Sequence, residues 1–387
     1  MNKIKVMSVF GVRPEAIKMA PVIKELEKYP NEIESIVTVT GQHREMLHQI
    51  LNLFKIKPDY DLNIMKEKQT LTDIIERSLR GLEKVYQEVK PNLVLVHGDP
   101  STSFIAALAA FYQKIPIGHV EAGLRTYNKY FPFPEEVNRR LTGVLADLHF
   151  APTTDSKQNL LNEGVPEDKI FVTGNTAIDA LNYTVNEKHQ FRDKQLANKP
   201  WQGKRLIVME IHRRENWGAP IQQICEAIKQ IVTEFSEVYL VASVHLNPIV
   251  RDDIFKILSG VDRVLLTNPL DVDDYQNLFS QAIMLLSDSG GVQEEAPAMG
   301  VPMLLTRNVT ERPEAIKAGT VILAGNTKEG VYNAVKELLI NEQKRQAMAR
   351  SVNPYGDGRS SERIVKIILN HFAHKDIAID EWKYHEL

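Results

Sequence analysis

The segment L-L-S-D-S-G-G-V-Q-E-E-A, Leu285 to Ala296, gathers residue types that could do chemistry at short spacing. An apolar run ends at Asp288. Ser289, Gly290 and Gly291 then lead into a helix-like stretch carrying Glu294 and Glu295. A buried strand that turns through Ser-Gly-Gly into a helix leaves the first backbone N–H groups of that helix without partners, and the helix dipole makes that end partly positive. Such an end suits a phosphate, and carboxylates just behind it could grip sugar or ribose hydroxyls. The chemistry implied is binding of a phosphorylated sugar. The competing reading is an N-cap followed by a tight helix–strand contact.

Similar polar clusters follow other apolar runs. They are G-V-R-P-E at Gly11–Glu15 with Lys18 a turn later, T-G-Q-H-R-E-M at Thr40–Met46, H-G-D at His97–Asp99 and H-V-E-A-G-L-R-T at His119–Thr126. Further along come H-R-R-E-N at His212–Asn216, S-V-H-L-N-P at Ser243–Pro248 and T-E-R-P-E at Thr310–Glu314. Polar residues at strand ends are how a doubly wound fold builds a site. Arg13 and Lys18 could bind phosphate by charge or simply solvate a helix start. Asp99, Glu121 and Glu135 could act as general acids or bases if neighbours tune them. Each also has a structural reading: helix capping for Asp99, a loop bond or an ion pair with Arg125 for Glu121, and the first turn of a helix after F-P-F-P for Glu135. The histidines at 43, 97, 119, 212 and 245 show neither helical i, i+4 pairing nor H-E-x-x-H, and the only cysteine is Cys225, so no metal is expected. His212 and His245 read as phosphate donors or proton carriers, His97 and His119 as core histidines.

These residues need a scaffold. Short Val/Ile/Leu-rich runs without alternation suit a parallel sheet covered on both faces. They fall at Ile4–Phe10, Ser35–Thr40, Leu93–His97, Ile115–Val120, Leu148–Phe150 and Ile170–Thr173. A second series is Leu206–Met209, Val238–Ala242, Val264–Leu266, Ile283–Leu286, Met303–Leu305 and Val321–Leu323. Helical patterns between them, such as Leu71–Val89, Ser101–Tyr112, Ile221–Phe235 and Glu329–Ile340, predict a doubly wound α/β fold. The polar stretch Asn186–Lys204 is the linker candidate. It sets a first domain at 1–185 and a second at 186–358, with a last helix in 359–387 returning to the first. Two such domains would face each other across a cleft.

Composition excludes other classes. The chain has 387 residues, 43% hydrophobic and 25% charged, with a formal net charge of -3. No basic footprint favours nucleic acid. No apolar run approaches a membrane span, and the start, M-N-K-I-K-V-M-S-V-F-G, is too short and too interrupted by Lys for a signal peptide. A cytoplasmic protein is the expectation. Neither G-x-G-x-x-G nor G-x-x-x-x-G-K-[ST] occurs, so no dinucleotide fingerprint or P-loop is present.

Taken in order, the motifs resemble those of the non-hydrolysing UDP-N-acetylglucosamine 2-epimerases. The resemblance runs from F-G-x-R-P-E-A-I-K-M-A-P at Phe10–Pro21 to N-P-Y-G-D-G at Asn353–Gly358, through G-Q-H-R-E-M-L, H-V-E-A-G-L-R-T, P-E-E-x-N-R-R, T-G-N-T-x-I-D-A, H-R-R-E-N, D-S-G-G-V-Q-E-E-A-P and T-E-R-P-E. It implies a GT-B fold of two Rossmann-like domains, a homodimer and no cofactor. It also implies interconversion of UDP-GlcNAc and UDP-ManNAc for surface polysaccharide or teichoic acid precursors. In that reaction UDP is eliminated to give 2-acetamidoglucal and is then added back. Carried over by motif, Asp99, Glu121, Glu135 and His212 form the catalytic set. Arg13, Lys18, His245, Tyr275, Ser289, Gly290, Gly291, Glu295 and Arg312 hold UDP. Gln42, His43, Gln69 and Arg214 correspond to residues that bind a second, activating UDP-GlcNAc in some members.

The chain departs from the family pattern at several positions. Val12, Pro100 and Glu210 stand where the family has Thr, Ser243 where it usually has Pro, and Thr306 and Asn308 where it has Leu and Asp. Glu210 shares a strand face with His212 and would favour the charged imidazole while repelling a diphosphate. Altered substrate preference or weaker turnover is therefore expected. Alternatives from other classes are a GT-B glycosyltransferase using a UDP-sugar, and a UDP-sugar-binding regulator without turnover.

Overall fold

The computed structural model describes residues 3–41, 44–66, 69–310 and 312–384. The chain forms two compact units. One runs to Tyr183 and resumes at Tyr355; the other is Thr184–Pro354.

The first unit holds β1 (Ile4–Phe10), β2 (Ile33–Val39), β3 (Tyr60–Asp61), β4 (Leu93–His97), β5 (Ile117–Val120), β6 (Leu148–Ala151) and β7 (Ile170–Val172). They pair in the order β3-β2-β1-β4-β5-β6-β7, all parallel. Val6, Met7, Val9, Val94 and Val96 are fully buried, as strands covered on both faces require. The helix Leu71–Val89 turns Leu82, Val85 and Tyr86 onto the same core as Ile105, Ala106 and Ala110 of the helix Ser101–Tyr112. The small alanines let that helix approach the sheet. Thr70 caps the first of these helices by accepting from the Asp73 N–H at 3.2 Å, and Asp73 accepts from the Thr70 N–H at 2.8 Å.

The returning segment completes this unit. The helix Ser360–Ala373 packs on the helix Arg13–Leu26. Its first N–H groups, at Ser360 and Ser361, donate to the buried Asp179 carboxylate at 3.2 and 2.7 Å. A carboxylate there complements the helix dipole. Gly174 has φ +85°, and a Cβ on it would come within 2.7 Å of Ser360 Oγ and 3.3 Å of Gly356 Cα, so only glycine allows this close approach.

The second unit holds β8 (Arg205–Glu210), β9 (Val238–Ser243), β10 (Val264–Thr267), β11 (Met284–Ser287), β12 (Met303–Leu305) and β13 (Val321–Leu323). The order is β10-β9-β8-β11-β12-β13, again parallel. The stretch 186–204 is not a linker. It belongs to this unit and buries Phe191, Leu196 and Trp201, with the two aromatic rings edge to face at 5.7 Å. The Arg192 and Asp193 N–H groups donate to the Asp274 carboxylate at 3.0 and 2.9 Å. Three apolar side chains suffice to anchor a segment whose composition is otherwise polar.

Each sheet reverses its winding once, between β1 and β4 in the first unit and between β8 and β11 in the second. The carboxyl ends of strands flanking such a reversal are where ligands bind in open α/β sheets. No helix among the described residues is long and apolar enough to cross a membrane.

Candidate functional site

In the first unit, Gly11 leaves β1 so close to its neighbours that a Cβ would lie 2.1 Å from Thr40 Oγ1 and 2.6 Å from Thr102 Oγ1. Glu15 then folds back: its carboxylate accepts from the Gly11 and Val12 N–H groups at 2.7 and 2.9 Å and from Ser103 Oγ at 2.7 Å. Burial pushes this carboxyl up despite those donors. Glu15 therefore ties the loop after β1 to the helix after β4. Arg13 opens its helix half-buried and forms no ion pair among the described residues.

Glu121 follows β5 in the left-handed backbone region, φ +60°. A non-glycine residue is uncommon there, and such strain concentrates at functional sites. Its carboxylate receives the Lys18 ammonium and an N–H from Asn175 at 3.0 Å, and His97 Nε2 lies 3.6 Å away. Burial opposes its charge, yet Lys18 and then His97 hold the carboxyl well below the usual range. Glu121 is thus an ionised carboxylate next to a cation. The pairing with Arg125 does not form; Arg125 grips Glu163 at 2.9 and 2.7 Å instead.

Gly98, at the end of β4, lies beneath this group: a Cβ there would be 3.5 Å from Glu121 Oε1. Asp99 follows it. Its side chain pairs with Arg139, and its carbonyl accepts from Asn138 Nδ2 at 2.9 Å. The capping reading fails, because the helix Ser101–Tyr112 has Pro100 at its N-cap and no side-chain cap. Asn138 and Arg139 sit one turn beyond Glu135, which opens the helix Glu135–Leu145. Within P-E-E the structural duty falls to Glu136, which is buried and accepts from the Thr126 and Tyr127 N–H groups at 3.0 Å each. Glu135 itself is half-buried and in no ion pair among the described residues. His119 is the expected core histidine: it meets the Gly98 carbonyl at 2.8 Å, and burial pushes it down to about 3. His97 differs from that reading, because it faces Glu121.

In the second unit, the buried Asp288 follows β11 and accepts from the His212 and Arg213 N–H groups at 3.1 and 2.9 Å and from Asn216 Nδ2 at 2.8 Å. It fixes H-R-R-E-N to the neighbouring strand. Burial pushes its carboxyl up, against the lowering influence of His212. His212 Nδ1 lies 2.6 Å from Glu210 Oε1 and 3.6 Å from Asp288 Oδ1. Burial opposes the charged imidazole, but Glu210 more than offsets it and raises His212 above its ordinary value. Glu210 in turn accepts from Ser287 Oγ at 3.0 Å and Tyr275 Oη at 3.3 Å. Burial disfavours its charge, and His212 with these donors still lowers it. His245 is exposed and lies parallel to His212 with centroids 5.9 Å apart.

The Ser-Gly-Gly turn opens the helix Gly290–Ala298 without a side-chain cap. The Ser289 N–H is already engaged, donating to Ser287 Oγ at 3.0 Å. A Cβ on Gly291 would meet nothing nearer than Ser289 Oγ at 4.0 Å, so an anion can approach the helix start there. Of the two acids behind it, Glu294 is buried and paired with Arg312 Nε at 2.8 Å. Glu295 is half-buried and accepts from Gln276 Nε2 at 3.2 Å. Of the remaining expected residues, Arg214 is exposed with its guanidinium 5.7 Å from the Trp217 ring centre, and Gln69 accepts from the Lys66 N–H at 3.1 Å. Gln42 and His43 lie outside the described residues.

Among the described residues, His189, Asp273 and Asp274 place possible metal-ligand atoms within 4.8 Å of one another. His189 is bonded to Asp274 at 2.6 Å, and Arg192 pairs with Asp273, so the group carries its own counter-charges. Asn175, Arg139 and Ser287 all lie within motifs of the sequence, yet their residue types alone assign them no role. The signal available was position: each lies within a few residues of a strand end or a catalytic candidate.

Two doubly wound parallel-sheet units of seven and six strands define the GT-B-like class, and solved structures of that class match along the chain. An S. aureus protein crystallised with UDP is 46% identical, with a TM-score of 0.88 over 98% of this chain and 100% of its own. A Neisseria meningitidis UDP-GlcNAc 2-epimerase bound to UDP-GlcNAc is 48% identical, with a TM-score of 0.85 over 95% of this chain and 100% of its own. The Bacillus subtilis UDP-N-acetylglucosamine 2-epimerase is 53% identical over 377 residues, 97% of either chain. The family model described as UDP-N-acetylglucosamine 2-epimerase matches residues 24–369. The chain belongs to the UDP-N-acetylglucosamine 2-epimerase family and is an isomerase of the epimerase class.

Proposed function

We propose that the chain interconverts UDP-GlcNAc and UDP-ManNAc by elimination and re-addition of UDP. The C2 proton of the sugar has no adjoining carbonyl, so removing it alone is slow. Elimination breaks C2–H and C1–O together and forms the C1–C2 double bond of 2-acetamidoglucal. The proton goes to a carboxylate and the electron pair leaves with UDP. Return of a proton to the opposite face of C2, with UDP re-forming C1–O, completes the epimerisation. The observation that carries this reading is the acid set around Gly98: Glu121 ionised beside Lys18, Asp99 beside it on Arg139, and the helix of Glu135 gripping Asp99. These carboxylates transfer the C2 proton, with Arg13 and Lys18 as the unit's cations. In the second unit His212, His245 and the Gly290–Gly291 helix start hold the diphosphate, with Tyr275, Glu295 and Arg312 behind them. The UDP and UDP-GlcNAc bound by the two crystallised relatives support the ligand.

The same reading has the enzyme act in the cytoplasm, supplying ManNAc units for surface polysaccharide or teichoic acid precursors, as a homodimer. The exposed Phe111, Tyr112, Leu141 and Val144, on two helices packed together in the first unit, support self-association. Incubation with UDP-GlcNAc in D2O without an acceptor tests the activity. Deuterium at C2 in both epimers is the expected result. UDP release only when an acceptor is added would make the chain a glycosyltransferase, and tight binding of unchanged sugar would make it a regulator.

A further inference from the structure

Glu210 is a carboxylate at the end of β8, beside the helix start expected to bind a diphosphate. Alone it would repel that ligand. The geometry shows that it is not alone. Its two oxygens are used separately: Oε1 lies 2.6 Å from His212 Nδ1, and Oε2 accepts from Ser287 Oγ at 3.0 Å and Tyr275 Oη at 3.3 Å. The carboxylate is therefore pinned from two neighbouring elements and cannot rotate away from the imidazole. Ser287 Oγ, having donated its proton to Glu210, accepts the Ser289 N–H at 3.0 Å. A chain of hydrogen bonds thus runs from the backbone of the Ser-Gly-Gly turn through Ser287 to Glu210, whose other oxygen is in charge contact with His212.

We propose that Glu210 is a positioning residue which, by its ion pair at Nδ1, keeps the His212 imidazole protonated so that Nε2–H is presented to the diphosphate, and which couples the histidine through Ser287 to the Ser289 turn. The proposal rests on the UDP-sugar reading above for the identity of the anion. Its electrostatic logic is that the Glu210 charge is neutralised by the imidazolium it maintains, so the pair presents a proton donor rather than a net repulsion. Every group facing His212 enters this balance. Glu210 from β8 and Asp288 after β11, 3.6 Å from Nδ1, favour the charged ring, while Arg213 in its own loop disfavours it. His245 from the loop after β9 lies stacked at 5.9 Å, and Tyr275 from the helix Val272–Ser280 reaches the pair through its hydroxyl on Glu210.

The test is nitrogen-15 NMR of the His212 ring combined with pH profiles, on the full chain and on Glu210→Gln, Glu210→Asp and Glu210→Thr. In the unsubstituted protein the Nδ1 signal is expected to be that of a protonated nitrogen across the neutral range. In Glu210→Gln and Glu210→Thr the titration of that ring, and the alkaline limb of kcat/KM for UDP-GlcNAc, move to lower pH. There kcat falls roughly tenfold or more above neutrality while UDP affinity at pH 6 is kept. Glu210→Asp retains the alkaline limb of the unsubstituted protein. A structural role alone would lower activity without displacing the limb. Identical ring-nitrogen titrations in the unsubstituted protein and Glu210→Gln would overturn the proposal, as would an Asp variant that behaves like Gln. Absence of epimerisation by the unsubstituted protein would instead remove the activity reading, and the NMR result would still decide the role of Glu210.

Discussion

His119 and His149 in the first unit and His212 in the second depart from the free imidazole in opposite directions. The first two are buried, and burial pushes them down to about 3 and about 4. Of the strand-end histidines His97, His119 and His149 of that unit, only His97 faces a carboxylate, Glu121 at 3.6 Å. In the second, burial also opposes charge on His212, but the Glu210 carboxylate overrides it and raises the group. The acids divide in parallel fashion. Two acids of the first unit are held by cations, Lys18 on Glu121 and Arg139 on Asp99. Glu210 is held by a histidine and two hydroxyls. A carboxylate beside a lysine stays charged, and so does a histidine beside a carboxylate. One sheet architecture thus holds an anion in one unit and favours a cation in the other, depending on which partner its neighbours supply.

The contrast breaks most visibly through Glu121. Glu121→Gln is expected to lower kcat by about 10²- to 10⁴-fold, while calorimetry finds UDP affinity within about threefold of the unsubstituted protein. An equal loss of affinity would show that the units do not divide chemistry from nucleotide holding. A smaller effect concerns acid stability. The folded values of His119 and His149 are depressed, so their neutral forms contribute stability above the unfolded value of about 6.5, and this is lost as pH falls toward the folded values. The raised His212 has the opposite sign: its contribution is present below that value and is lost as pH rises through its folded value. Hydrogen exchange of β5 and β6 amides should reveal destabilisation of the first unit on the order of 6 kcal/mol between pH 7 and pH 4, about half of it from each histidine. His119→Gln should remove about half of that response, and a response of equal size in β8 and β11 would contradict the difference. Smallest is Gly291→Ala. The fold has space for the methyl, so thermal unfolding should be unchanged, while UDP binding weakens by about tenfold because the methyl covers the open helix start.

Much of this was legible in the residues, for identifiable reasons. Parallel strands buried on both faces leave continuous apolar runs, and the twelve expected strands lie within two residues of observed ones. β3 was not, because two residues, Tyr60 and Asp61, form no pattern. The stretch 186–204 misled because burial of Phe191, Leu196 and Trp201 is invisible in an average over polar neighbours. Strand-end motifs located the candidate residues, and the two-residue spacing of Glu210 and His212 anticipated their proximity, although β8 ends at Glu210. The partners that tune them did not. Lys18 and Asn175 reach Glu121 from 103 and 54 residues away in sequence, and the engagement of the Ser289 N–H by Ser287 depends on side-chain rotation rather than residue type. The pairing of Glu294 with Arg312 buries one of the two acids that the motif alone made prominent.

The Asp179 carboxylate that receives the N–H groups of Ser360 and Ser361 has an implication for synthesis. The unit that begins the chain borrows its final helix from beyond the second unit, so 171 residues of continuous sequence, Thr184–Pro354, separate its two parts. During translation the face of the helix Arg13–Leu26 that the last helix covers stays open until the second unit has been made. The order of completion therefore inverts the order of the sequence: the continuous unit can close first, and the one that starts earliest finishes last.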